Sequence, residues 1–182
     1  MTKYIIVNGH PRSSGKSLFA TLVRYELELR GFVTFQYSSV AMVKELALRA
    51  GWNGSKTPEA RKFLSDLKRL LVNSPWGNLS MRDVHEYAKK KESLFPNETI
   101  YVFVMVREPE EIQQYVERLG ATAVFVRRPN ADVPMGNDSD DNVENFSYHY
   151  YINNDGTVED LTTRAEEFTN WLLQKKKKMR TG

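Results

Sequence analysis

Residues 3–17 read KYIIVNGHPRSSGKS, and they decide which fold we expect. The first six are a compact apolar run that ends at Gly9, which is typical of a buried strand. From Lys16 to Arg30 the apolar residues recur at the spacing of one helical face, and Gly31 follows as a stop signal. The sequence therefore predicts a strand, a loop and a helix in direct succession.

The loop at residues 9–17 has the composition of a phosphate-binding loop. Its backbone N–H groups and the N-terminus of the helix would face a polyphosphate, and Gly15 would allow close approach. Lys16 would reach the β- and γ-phosphates, and the Ser17 hydroxyl would bind Mg²⁺. The other loop residues expected to contact phosphate are Gly9, Arg12, Ser13 and Ser14.

The spacing of this loop departs from the usual pattern by one residue. Five residues separate Gly9 from Gly15 where four are usual, and His10 stands in place of the first glycine. The Gly-Lys-Ser end is intact, and it lies between a buried strand and an amphipathic helix, as the motif requires. The alternative is an ordinary turn.

Strand and helix patterns alternate along the rest of the chain. Short apolar runs predict further strands at residues 33–37, 99–106, 122–126 and 148–153. Helical spacing predicts helices at 40–50, 57–73, 80–92 and 109–119, and a last one from 157. Ser80 with Asp83, and Thr157 with Asp160, have the spacing of a capping box. Strands separated by helices predict an α/β fold with a mainly parallel sheet covered on both faces.

The composition excludes several classes of protein. The chain has 182 residues, enough for one domain, and 41% of them are hydrophobic and 27% charged. Without cysteine it has neither disulfides nor thiolate metal sites, and its three histidines lack the spacing of a zinc site. The first apolar run is too short for a signal peptide or a membrane span, so we expect a cytosolic protein without membrane contact.

The C-terminal stretch 174–182 supplies five positive charges, more than the formal net charge of +3. It is interpreted as a solvated helix end. The alternative is a contact with nucleic acid or another anionic surface. The sequence leaves open whether the chain forms a homodimer.

The chain resembles the nucleoside monophosphate kinase group of P-loop proteins. It is most similar to the phage-type deoxynucleoside monophosphate kinases and more distantly similar to animal phosphomevalonate kinase. Beside the phosphate loop, the resemblance rests on residues 37–39 with 43–44, 51–54 leading to Arg61, 106–108, 139–140 and 152–156. It implies that residues 1–182 form one P-loop kinase domain that uses ATP and Mg²⁺. It also implies a five-stranded parallel sheet, a helical acceptor-binding region at about 38–95 and a lid at about 127–147.

Candidate acceptor-binding residues follow the second strand. Ser38 and Lys44 would lie at its carboxyl end, where ligands collect in open α/β sheets. Arg61 would bind the acceptor's phosphate, and Trp52 would stack on a base. The alternatives are solvated surface positions for Lys44 and Arg61 and a packing role for Trp52.

Arginines follow the later strands. Arg107 comes directly after the most apolar strand and could hold an acceptor or transferred phosphate with two hydrogen bonds. Arg127 and Arg128 open the lid and could turn onto the polyphosphate, the alternative being a surface ion pair. Such charges suit phosphoryl transfer, which depends mostly on positioning and charge neutralisation. No acidic residue ends the strand before Arg107, so either Glu108 is the second protein ligand of Mg²⁺ beside Ser17, or Ser17 and water alone hold the ion.

Three functions fit this pattern. The first is transfer of a phosphoryl group from MgATP to a (deoxy)nucleoside monophosphate. The second is the same transfer to another small phosphorylated metabolite. The third is a nucleotide-binding module without turnover, in which the basic tail contacts a partner or nucleic acid.

Overall fold

A computed structural model describes residues 1–10, 13–129 and 142–180, with side chains described as far as residue 174. The strands are β1 Thr2–His10, β2 Val33–Ser38, β3 Ile100–Met105, β4 Thr122–Arg127 and β5 Tyr150–Asn153. The α-helices are α1 Lys16–Leu29, α2 Ala41–Arg49, α3 Pro58–Val72, α4 Leu79–Leu94, α5 Pro109–Leu119 and α6 Val158–Arg180. A 3₁₀ helix spans Asn142–Asn145.

The five strands form one parallel sheet in the order β2-β3-β1-β4-β5, with β1 at its centre. Successive side chains of β1 point to opposite faces of the sheet, as in any strand. Ile5 and Val7 pack with α1 and α6, whereas Tyr4 and Ile6 pack with α4 and α5. The predicted α/β fold, its parallel sheet and its two helical layers are confirmed.

Two strand boundaries differ from the prediction by two residues, and the other differences are of one residue. β1 runs through Gly9 to His10, because these residues pair with Val126 and Arg127 of β4. β5 begins only at Tyr150, since the main-chain N–H of Tyr148 donates to the Tyr151 hydroxyl (3.1 Å) instead of a strand. Both shifts are set by contacts that are distant in sequence or made by side chains, so the apolar pattern alone could not locate them.

The predicted start of α4 at Ser80 is wrong. The helix begins at Leu79, and the Asn78 side chain caps it by accepting from the N–H of Met81 (2.9 Å). Ser80 instead donates its hydroxyl to the Ser39 carbonyl (2.6 Å), and Asp83 accepts from the Tyr37 hydroxyl. The capping box at Thr157 and Asp160 is confirmed, with main-chain to side-chain bonds in both directions.

Helix α3 packs more loosely than the other helices. Thr57 caps it and Pro58 occupies its first turn, as predicted. None of its residues, all of which the structure describes, is buried, and Leu70 is 70% exposed. The helix therefore lies against α2 and α4 without entering the core.

Within the described part of the chain, no helix is both long enough and apolar enough to cross a membrane.

Candidate active site

The predicted phosphate loop joins the central strand to α1. Ser13 and Gly15 have positive φ values of 71° and 90°, and Gly15 stands directly before the first residue of the helix. Left-handed residues in such a loop turn successive N–H groups toward a common point, which makes an anion-binding concavity. The helix N-terminus adds a partial positive charge there.

Close contacts hold the two described ends of this loop. The Asn154 side chain donates to the Ser14 carbonyl (2.9 Å), and a Cβ on Gly15 would lie 2.3 Å from Asn154 Nδ2. A Cβ on Gly9 would lie 2.3 Å from the carbonyl oxygen of Val126. A side chain at Gly9 would clash with the main chain, and one at Gly15 would displace the Asn154 amide at a strained positive φ, which explains why both positions are glycine.

A cleft of about 360 Å³ opens beside this loop at the carboxyl ends of β1, β2 and β3. It is lined by five of the predicted site residues, Lys16, Ser38, Lys44, Arg107 and Glu108. The structure thus brings the lysine of the phosphate loop together with candidate acceptor-binding residues from three other segments.

The cleft is strongly cationic. Its lining includes four basic residues, Lys16, Lys44, Lys68 and Arg107, and one acidic residue, Glu108. Basic side chains in a concave site attract and hold anions by charge-assisted hydrogen bonds. The arrangement can therefore hold an anion such as a phosphate group.

A smaller pocket of about 120 Å³ lies at Gly15, beside the helix end of the phosphate loop. Leu18, Val158 and Leu161 supply apolar side chains, and Arg128 and Asn154 supply polar ones. Arg128 was predicted to act on the polyphosphate. The structure places it in this pocket, next to the loop and apart from the residues that line the cleft.

Besides Gly9, Ser13 and Ser14 of the loop, four predicted site residues lie outside the described linings of both pockets. Arg127 ends β4 with an exposed side chain, and Arg61 is exposed on α3. Trp52 is half-buried, and its indole donates to the Ser55 carbonyl (3.0 Å). Ser17 is exposed in the first turn of α1. Their assigned roles stay predictions.

Two further predictions fall outside the described residues. Arg12 of the loop is one, and most of the predicted lid, residues 130–141, is the other.

Sequence reasoning missed Lys68 and Glu111. Lys68 of α3 lines the cleft, and its ammonium lies 2.6 Å from the Glu111 carboxylate on α5. Glu111 is 1% exposed; burial raises the pKa of its carboxyl, while Lys68 lowers it. The sequence held one signal for Glu111: it lies one helical turn before Tyr115, on the apolar face of α5, where an acidic residue is unusual.

Few protein side chains at the site could serve as ligands of a Mg²⁺ ion. Among the described residues, no group of three or more His, Asp or Glu side chains is arranged to hold a metal. Mg²⁺ keeps several waters and is usually bound through one or two carboxylates and substrate phosphates. Ser17 and Glu108 remain its predicted protein ligands.

No protein-family model matches this chain, and no curated protein matches it. Solved structures with similar architecture include an APS kinase of Mycobacterium tuberculosis, with a TM-score of 0.46 and 17% identity over 94% of this chain and 96% of that chain. The tunicamycin resistance protein of Deinococcus radiodurans has a TM-score of 0.48 and 14% identity over 91% of this chain and 94% of that one. A gluconokinase of Sinorhizobium meliloti has a TM-score of 0.44 and 12% identity over 95% and 94%. Such distant likenesses carry no substrate or residue role to this chain, so function has to be inferred from its own site.

Proposed function

We propose that this chain transfers the γ-phosphoryl group of ATP to a small phosphorylated acceptor, with (deoxy)nucleoside monophosphates as the first class to test. One observation carries the proposal. Lys16, at the helix end of the phosphate loop, lines the same cationic cleft as Arg107 and Lys44. A lysine so placed can contact the γ-phosphate of a bound triphosphate and the acceptor that receives it.

The two pockets suggest how ATP lies. Its base and sugar would occupy the pocket of Leu18, Arg128 and Val158, and its phosphates would follow the loop past Gly15. The γ-phosphate would then point into the cleft beside Lys16. Such a path uses the N–H groups of the loop and the helix dipole for the most highly charged part of the ligand.

The chemistry requires little from the protein besides position and charge. An oxygen of the acceptor's phosphate attacks the γ-phosphorus, the bond to the β-phosphate oxygen breaks, and ADP leaves. A phosphate monoester is largely dianionic at neutral pH, so the attacking oxygen needs no general base. Lys16 and Arg107 would neutralise charge on the transferred group, and bound Mg²⁺ would neutralise the leaving phosphates.

A second class of acceptor also fits the side chains of the cleft. Among the described residues that line it, none is aromatic, and Trp52 lies elsewhere. Proteins often hold a base by stacking it on an aromatic ring. A small phosphorylated metabolite without a base therefore remains an equal candidate for this cleft.

The test is ADP release from MgATP in a screen that contains both nucleoside monophosphates and phosphorylated sugars or acids. We expect turnover with one class and its loss in Lys16→Ala, while Lys62→Ala on the exposed face of α3 keeps the wild-type rate. Arg107→Ala should lose at least ~10-fold, on the order of one charge-assisted phosphate contact. ATP binding without ADP release for every acceptor would contradict the proposal and leave a nucleotide-binding module.

A further inference from the structure

We infer that Lys68 binds the acceptor's phosphate and that Glu111 is the positioning residue that orients it. The inference rests on the proposed function for the identity of the bound group, but it concerns a site that can be measured without turnover. It is carried by the burial of Glu111 and by the place of Lys68 in the wall of the cleft.

Lys68 stands between two cavities. On one side it lines the cleft that contains Lys16 and Arg107. On the other it lines an adjoining cavity of about 490 Å³ together with Glu108 and Glu111. Its side chain therefore borders the space in which an anion bound in the cleft would lie.

Glu111 has no other means of stabilising its charge. It is 1% exposed, and among the described residues no donor besides Lys68 reaches its carboxylate oxygens. A buried carboxylate is strongly unfavourable without a partner, so Glu111 holds the Lys68 side chain in one place. That contact joins α3, which has no buried residue along its described length, to the core helix α5.

Lys68 retains the capacity to bind a second anion. An ammonium has three N–H donors, and the contact to Glu111 uses one side of the group. Its side chain is 16% exposed, so it is neither sealed in the core nor free in solvent. A lysine held in this way loses little rotamer freedom when phosphate binds, since that entropy has already been lost.

A purely structural ion pair is the alternative, and calorimetry can separate the two. Inorganic phosphate is titrated into the full chain after the ATP site has been filled with Mg²⁺ and a non-hydrolysable ATP analogue. We expect Lys68→Met to weaken phosphate binding by at least ~10-fold, the loss of one charge-assisted contact. Glu111→Gln should weaken it less, because the ammonium remains and only its orientation is lost.

Lys62→Met is the matched control. Lys62 belongs to the same helix and makes a similar contact, with its ammonium 2.6 Å from Asp66, but that pair is on the surface. Phosphate affinity should not change in this variant. Lys68→Met leaves Glu111 buried and unpaired, which can prevent the variant from folding. In that case the double variant Lys68→Met/Glu111→Met removes both charges. Its phosphate affinity should fall as much as is expected for Lys68→Met.

Unchanged phosphate affinity in Lys68→Met or in the double variant would overturn the inference, as would the absence of phosphate binding to the wild type. In an active enzyme the acceptor KM should rise while the KM for ATP stays the same; a structural role would leave the acceptor KM unchanged. If no acceptor is phosphorylated, the proposed function fails, yet the phosphate titration still decides the role of Lys68.

Discussion

The phosphate loop and helix α3 border the same cleft but are held in opposite ways. Ser14 of the loop is fully buried, and Gly15 lies against Asn154 with no room for a side chain. Helix α3, which is described throughout, has no buried residue and reaches the core through the contact of Lys68 with Glu111. The helix end of the loop is thus held in place by its packing, whereas the α3 side of the cleft can adjust its position.

Amide hydrogen exchange tests this contrast most directly. The amides of α1 are expected to exchange only when the core opens, because Phe19, Val23 and Leu27 are fully buried. Those of α3 should exchange through local opening and be at least ~100-fold less protected. Equal protection of the two helices, measured by mass spectrometry or NMR, would show that α3 belongs to the same cooperative unit.

A pair of glycine variants tests the fixed shape of the loop. Gly15 and Gly54 have nearly the same backbone conformation, with φ values of 90° and 87°, so alanine is strained at both. A Cβ at Gly54 meets nothing within 4 Å, whereas at Gly15 it would lie 2.3 Å from Asn154. Gly15→Ala should therefore lower the free energy of unfolding by about 1–3 kcal/mol more than Gly54→Ala does.

Denaturant titration of the two variants measures this difference. A larger loss in Gly54→Ala, or equal losses, would mean that the loop relaxes around a side chain and is not fixed by Asn154.

The buried Glu111, which contacts Lys68 of α3, should make the stability of the protein depend on pH. Burial raises the pKa of Glu111 above its ordinary value of 4.5, Lys68 opposes the shift, and Glu108 adds to it. The folded state therefore holds this proton more tightly than the unfolded state. Its contribution to stability is complete below pH 4.5 and is lost as the pH rises through the folded-state pKa.

Glu111→Gln removes this titration. The free energy of unfolding of the variant should rise relative to wild type as the pH increases above 4.5, by at most about 1.4 kcal/mol per pH unit. Glu117→Gln, at an exposed position of the same helix, is the control for the loss of a carboxyl group from α5. Parallel curves for Glu111→Gln would show that the pKa of Glu111 is the same in both states.

The sequence predicted best where a signal was local. The run of β1, the Gly-Lys-Ser end of the loop and the position of Arg107 two residues after β3 were each sufficient to place a residue at the cleft. Parallel strands end at one edge of the sheet, so residues that follow them meet even when they are distant in sequence.

The features that the sequence did not predict depend on contacts between distant segments. Lys68 and Glu111 lie on different helices, and each alone reads as a charged residue of an amphipathic helix. Asn78 and Ser80 are both good caps, and only the Ser39 carbonyl, which accepts from Ser80, decides between them. Arg128 follows the same strand as Arg127, and the strand pattern cannot say which of the two lines a pocket.

The smallest expected effect comes from removing the same cap at two helices. Thr57 accepts from the N–H of Ala60 at the start of α3 (3.3 Å), and Thr157 accepts from that of Asp160 at the start of α6 (3.2 Å). Each change to alanine should cost about 1 kcal/mol of helix stability. Because α6 buries Leu161 and Phe168, Thr157→Ala should lower the global free energy of unfolding by that amount. Thr57→Ala should leave the global value nearly unchanged and speed amide exchange in α3 alone. A full global loss in Thr57→Ala would mean that α3 unfolds together with the core.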